Sequence, residues 1–269
     1  VLNKRLLHIP KPISNPKLRI FCFPFAGGGA NSYISWPQWL PNNIELVLIE
    51  PPGRGARISE PCCEDMQEWI NELLLHKEEI TRLPYVFFGH SLGAHVAFEL
   101  CCQLKQYQCR LPLRFIASGS EAPHLISHKK QIHTLPRNEF IHELKQLNGT
   151  PGELLDNAEM MNLMLPILRA DFKIAETYTA SPTTMPFPIS VFHGLDDIEI
   201  SLAQREAWQH LSQQQCNIHE FKGDHFFILE FKDTVLLELN SILKEALCQV
   251  DAIYSPSIRP TSKRNEMVI

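Results

Sequence analysis

The stretch Pro84-Tyr85-Val86-Phe87-Phe88-Gly89-His90-Ser91-Leu92-Gly93-Ala94-His95-Val96-Ala97-Phe98 joins an apolar run to an amphipathic one through the pattern Gly-x-Ser-x-Gly. Apolar and aromatic residues up to Phe88 read as a buried strand, and the spacing after Gly93 reads as a helix. A sharp strand-to-helix turn of this kind holds its central serine in a strained backbone conformation, with the hydroxyl projecting above the sheet. The flanking glycines let strand and helix pass without a Cβ clash. The pattern alone recurs in many chains. Its context makes Ser91 a candidate nucleophile.

Upstream, Leu18-Arg19-Ile20-Phe21-Cys22-Phe23 reads as a strand ending at Pro24, and Ile44 to Glu50 as the next, closed by Pro51-Pro52-Gly53-Arg54-Gly55. Between them lie the glycine-rich loop Phe25-Ala26-Gly27-Gly28-Gly29-Ala30 and a segment, Tyr33 to Leu40, whose Trp36 and Trp39 are expected in the core. The loop lacks the spacing of a phosphate-binding glycine motif. Beside a serine nucleophile it can instead offer a backbone N–H to a developing oxyanion, partnering the N–H of Leu92. Phe25 is the preferred donor and Ala26 the nearby alternative. Met66 to Leu83 carries Met66, Trp69, Ile70, Leu73, Leu74 and Ile80 at helical spacing. Strand, helix, strand, helix implies a mostly parallel sheet covered on both faces.

Downstream, Leu113 to Ser118 is a further buried strand, after which the alternation stops from about 124 to 186. Helical patterns over Asn138 to Leu147 and Ala158 to Tyr178 mark an inserted lid, with Pro166 predicting a kink or break. Met160, Met161 and Met164 could line an acyl site or simply pack against the body. The sheet resumes at Ile189 to His193, followed by Gly194-Leu195-Asp196-Asp197, and ends with Asn217 to Phe221 and Lys222-Gly223-Asp224-His225. Ser91, then an aspartate, then His225, each at a strand tip, is the order nucleophile, acid, histidine of the α/β-hydrolase fold. Asp197 is the preferred acid over Asp196. Among twelve histidines, His225 alone holds the position of the base; His90, His193 and His219 read as packing.

A serine hydroxyl needs a base within reach, so His225 would take the Ser91 proton and return it to the leaving group. The aspartate would fix the imidazole tautomer.

The length of 269 residues and 44% apolar content suit one large α/β domain, 18–249, preceded by an irregular arm at 1–17 with Pro10, Pro12 and Pro16. A tail at 250–269 reads as disordered. The net charge of -5 without a basic stripe argues against nucleic acid. No apolar run approaches the length that spans a bilayer, and the first residues lack a signal-peptide core, so a cytoplasmic location off the membrane is expected. Eight cysteines without any C-x-x-C spacing suit free thiols in a reducing compartment, with neither a disulfide framework nor a zinc site.

With these residues in place, the chain resembles the type II thioesterases that accompany nonribosomal peptide and polyketide synthases. The resemblance runs from about Leu18 to Leu247. It rests on Phe23-Pro24-Phe25-Ala26-Gly27-Gly28, Pro51-Pro52-Gly53-Arg54-Gly55, the elbow, Gly149-Thr150-Pro151, Leu168-Arg169-Ala170-Asp171-Phe172 and His225-Phe226-Phe227. It implies hydrolysis of acyl groups from the phosphopantetheine arm of carrier proteins through an acyl-Ser91 intermediate. The partners would be acyl or peptidyl carrier protein domains, the enzyme a monomer, and the only cofactor the phosphopantetheine that arrives on the substrate. A medium-chain thioesterase of fatty acid synthesis or a generalist esterase is the alternative within the enzymes; a silent carrier-binding module is the alternative outside them. Two departures stand out: the family usually has Gly-Gly-His where this chain has Gly223-Asp224-His225, and often Gly-Gly-Ser where it has Gly27-Gly28-Gly29.

Overall fold

The computed structural model describes residues 5–125, 131–147 and 157–254. Seven strands form one sheet: β1 (Leu7–His8), β2 (Leu18–Phe23), β3 (Ile44–Ile49), β4 (Tyr85–His90), β5 (Arg114–Ser118), β6 (Ile189–Gly194) and β7 (Cys216–Phe221). Their spatial order is β1-β3-β2-β4-β5-β6-β7, parallel throughout except for β1, which pairs antiparallel with β3 through Leu7 and Ile49. The arm expected to be irregular therefore contributes an edge strand, anchored by the buried Leu6 and Leu7. Two residues give too short a period to announce a strand.

Strand alternation divides the core in two. In β2, Phe21 and Phe23 face one side while Leu18, Ile20 and Cys22 face the other; in β4, Tyr85 and Phe87 oppose Val86 and Phe88. Each such side chain withdrawn from water contributes about 1.5–3 kcal/mol of driving force. The first face packs beneath α1 (Met66–Leu74) and α3 (Leu92–Gln106), the second beneath Tyr33, Trp36 and the closing helix. The expected helix over Met66 to Leu83 is split, with α1 ending before α2 (Lys77–Thr81). Trp36 is core, but Trp39 is 43% exposed, because the 3-10 turn at Trp36–Gln38 rotates it off the packed face.

The lid contains α4 (Arg137–Gln146) and α5 (Ala158–Thr177), with a small core of its own around Phe140, Leu144, Met161 and Leu165. Pro166 does not break α5. Proline removes the donor that would bond the Asn162 carbonyl, and both residues lie on the exposed face, where water can serve that carbonyl. The Gly149-Thr150-Pro151 motif lies outside the described residues. Beyond the lid come α6 (Leu202–Glu206), α7 (Phe227–Glu230) and α8 (Lys232–Tyr254). The last helix thus runs past Val250, where the tail was expected to start; Val250 is itself buried and extends the apolar stripe of Leu239, Leu243 and Ala246. All eight cysteines are free thiols, with Cys22, Cys63, Cys101 and Cys102 buried and Cys248 exposed. Among the described residues, no helix is long and apolar enough to cross a membrane.

Candidate active site

The tips of β4, β6 and β7 carry the site. Ser91 directly follows β4 with φ 54° and ψ -121°, a conformation that costs a non-glycine residue about 1–3 kcal/mol. Its surroundings hold it there: Ser91 N–H donates to the Ser118 carbonyl (2.8 Å) at the end of β5, and Ala94 N–H donates to the Ser91 carbonyl (3.0 Å). A Cβ on Gly89 would collide with the Gly93 carbonyl oxygen, and one on Gly93 with the Phe23 carbonyl oxygen of the neighbouring strand. The Ser91 hydroxyl makes no capping bond to α3, which leaves it available for chemistry. Leu92 opens α3, where the first backbone N–H groups have no intrahelical partner.

Asp197 and His225 meet across the ends of β6 and β7. His225 Nδ1 lies 2.8 Å from Asp197 Oδ2, and Asp197 Oδ1 accepts from the Glu199 N–H (2.9 Å). Burial of Asp197 raises its pKa, but the hydrogen bond and charge of His225 with the Glu199 N–H outweigh that, so the carboxyl sits below its ordinary value. It therefore remains ionised at neutral pH. Asp196 is exposed, and its backbone N–H donates to the Gly223 carbonyl at 2.9 Å. Of the two aspartates, the structure brings Asp197 onto the imidazole. The unusual Asp224 turns back on its own loop, its Oδ1 accepting from the Phe226 N–H at 2.8 Å.

The other histidines have separate places. His90 is fully buried beneath the site, with Nδ1 2.9 Å from Ser118 Oγ and its ring centroid 5.2 Å from that of His225. Burial first, and the His225 charge second, push its pKa well down, so it stays neutral. His193 is also lowered by burial, while His219 pairs with Glu238 at 3.0 Å.

Ser91 and His225 both line a cavity of about 350 Å³. Its floor includes Phe25, Ala26 and Leu92, the expected oxyanion segments, and its roof is the apolar face of the lid: Leu144, Leu147, Leu168 and Phe172. The lid methionines are absent from this lining. Met161 is buried within the lid core, Met160 is exposed, and Met164 instead borders a neighbouring cavity of about 330 Å³ beside Gly27 and Arg54. Leucine and phenylalanine line the chamber, while Met161 packs within the lid, one of the two readings the sequence left open.

Sequence reasoning gave no role to the buried pair Arg54 and Asp171. The guanidinium grips the carboxylate with two hydrogen bonds, Nη1 to Oδ2 at 2.6 Å and Nη2 to Oδ1 at 2.7 Å. Burial disfavours the Arg54 charge, yet Asp171 outweighs it and leaves the pKa raised. Their signal was readable: Asp171 falls on the apolar stripe of α5 set by Ile167, Leu168 and Ile174, and a buried carboxylate demands a cation.

A serine on a strained turn, a carboxylate-bound imidazole and an apolar lidded cavity describe a hydrolase of acyl compounds. A family model described as a thioesterase domain matches residues 18–243, and the chain belongs to that family; its reaction class is thioester hydrolysis. Among relatives, the gramicidin S biosynthesis protein GrsT of Aneurinibacillus migulanus is 37% identical over 221 residues, spanning 81% of this chain and 86% of that protein. The S-acyl fatty acid synthase thioesterase, medium chain, of Homo sapiens is 28% identical over 242 residues, 86% of this chain and 88% of that protein. The crystal structure of ClbQ from the colibactin NRPS/PKS pathway superposes with a TM-score of 0.80 at 32% identity, covering 89% of this chain and all of that one.

Proposed function

We propose that this protein hydrolyses acyl or aminoacyl thioesters from the phosphopantetheine arm of carrier proteins, clearing stalled or mis-primed chains from a nonribosomal peptide or polyketide synthase. The observation that carries the reading is the placement of Ser91 and the Asp197-bound His225 in one cavity roofed by the apolar lid. Support for the substrate comes from GrsT, named for gramicidin S biosynthesis, and from ClbQ of an NRPS/PKS pathway, at 37% and 32% identity against 28% for the human fatty acid synthase thioesterase.

In this mechanism His225 Nε2 removes the Ser91 proton as Oγ attacks the thioester carbonyl, and Asp197 holds the Nδ1–H tautomer and stabilises the imidazolium. Backbone N–H groups of Leu92 and Phe25, with Ala26 as the alternative to the latter, stabilise the oxyanion; one such donor is worth about 3–4 kcal/mol of barrier. The pantetheine thiol leaves with the proton from His225, and the same base then activates water to release the acid from Ser91. The chemistry needs no resident metal or redox group: the pantetheine enters and leaves on the carrier. The partner is therefore a carrier protein domain, and the enzyme acts as a soluble monomer in the cytoplasm.

The test compares hydrolysis rates on acetyl-, medium-chain acyl- and aminoacyl-carrier proteins with rates on free esters, alongside trapping of Ser91 by a phosphonate. Faster turnover of carrier-bound acetyl and aminoacyl groups is expected. Preference for medium chains alone would move the assignment to fatty acid synthesis, preference for simple esters to a generalist esterase, and absence of an adduct to a binding module.

A further inference from the structure

The loop Phe25 to Gly28 is a tight turn, closed by the Gly28 N–H donating to the Phe25 carbonyl at 2.9 Å, with Gly27 at φ 78°. A positive φ at the third residue is the signature of a type II turn, which differs from type I by a flip of its central peptide. The orientation of that peptide is decided by Asp171. Its Oδ2 accepts from the Gly27 N–H at 2.7 Å, while Arg54 Nη1, itself bonded to Asp171, donates to the Gly28 carbonyl at 2.9 Å. One turn before Asp171, Leu168 closes over the same residue: a Cβ on Gly27 would lie 2.7 Å from its Cδ2. The pair is 7% and 2% exposed, so the carboxylate has no water to replace a lost donor.

We propose that Asp171, held by Arg54, is a positioning residue for the reaction, fixing the Phe25-Ala26-Gly27-Gly28 turn so that its leading N–H groups face the oxyanion. Asp171 belongs to the lid helix α5 and the turn belongs to the body, so a seated lid and a formed oxyanion hole become one state. This rests on the serine-thioesterase reading and adds to it a group that never touches substrate. Without the acceptor, the central peptide is free to rotate and the donors before it lose their direction.

Removing one partner leaves a buried unpaired charge and a destabilised protein, so the deciding variant is Arg54→Met/Asp171→Leu, which removes both charges. Asp171→Asn, which retains one acceptor, accompanies it. Three quantities are measured: kcat and KM on acetyl-carrier protein, the rate of Ser91 labelling by a small fluorophosphonate, and Tm. The double variant is expected to regain a Tm within a few degrees of the parent. Its kcat and its labelling rate should stay about 10- to 100-fold low, with KM little changed. Recovery of both rates together with Tm would overturn the proposal, reducing the pair to a structural anchor. Labelling needs no carrier protein: wild-type labelling without carrier turnover would refute the proposed substrate while the variant comparison still decides the role of Asp171. An unlabelled wild type would remove the nucleophile and this inference with it.

Discussion

The strand tips and the lid anchor assemble their residues in opposite ways. Ser91, Asp197 and His225 each stand just beyond the end of a parallel strand, so the sheet register places them before any side chain makes contact. Arg54 and Asp171 come from a loop and from an inserted helix, 117 residues apart, and find each other through a buried ion pair. The first set is positioned by backbone pairing and the second by charge. Substitutions at the strand tips should therefore cost rate and spare stability, whereas those at the anchor should cost both.

The sharpest break in this contrast is Ser91→Ala. Turnover should fall by at least about 10⁴-fold in a carrier-protein hydrolysis assay. Tm should hold, because the strained backbone is retained by the sheet and by the close-packed elbow glycines. Asp197→Asn follows, with kcat reduced about 10⁴-fold through loss of the correct imidazole tautomer, while Asp196→Asn stays within about twofold. Equal effects in the two asparagine variants would reverse the acid assignment. At the anchor, Asp171→Leu alone should cost about 3–5 kcal/mol in denaturant titration because Arg54 is left buried and unpaired. Smaller still, Leu144→Phe should fill part of the 350 Å³ chamber and shift the ratio of kcat/KM for medium-chain over acetyl substrates down a few-fold.

Acidification offers a further test. Burial lowers the pKa of His90, His124 and His193 below the ordinary value of about 6.5. Between that value and the depressed folded ones, the unfolded chain binds more protons, so stability is fully present above about pH 6.5 and is lost as pH falls. Tm should decline between about pH 6.5 and 5, and His193→Asn should make the decline shallower.

The contrast also explains what could be read in advance. Ser91 and Asp197 are flanked by their own local evidence, an apolar run and a glycine ahead of the functional side chain, as in Phe88-Gly89-His90-Ser91 and Phe192-His193-Gly194, and His225 follows its own glycine, Gly223. That made the mostly parallel sheet and the Asp197–His225 meeting legible. The two-residue β1 was hidden because it borrows its conformation from Ile49 and Leu48 of β3 rather than from its own pattern. Pro166 does not break its helix because the cost of proline depends on which face it occupies, and here that face is exposed. The methionines of α5 stayed ambiguous because helical phase alone does not say which face overlooks a cavity and which meets α4. Arg54 and Asp171 were visible as motifs but not as a pair, since nothing local to either announces its partner.

The buried cysteines bear on the reaction in a way that concerns exchange rather than packing. Hydrolysis of a carrier-bound thioester liberates a thiol, and any thiolate within reach of an acyl thioester can capture the acyl group in its own right. Burial pushes the thiols of Cys63 and Cys102 up to about 12 and raises those of Cys22 and Cys101 well above their usual value. Held protonated inside the core, these four sulfurs do not compete with Ser91 for the activated acyl group.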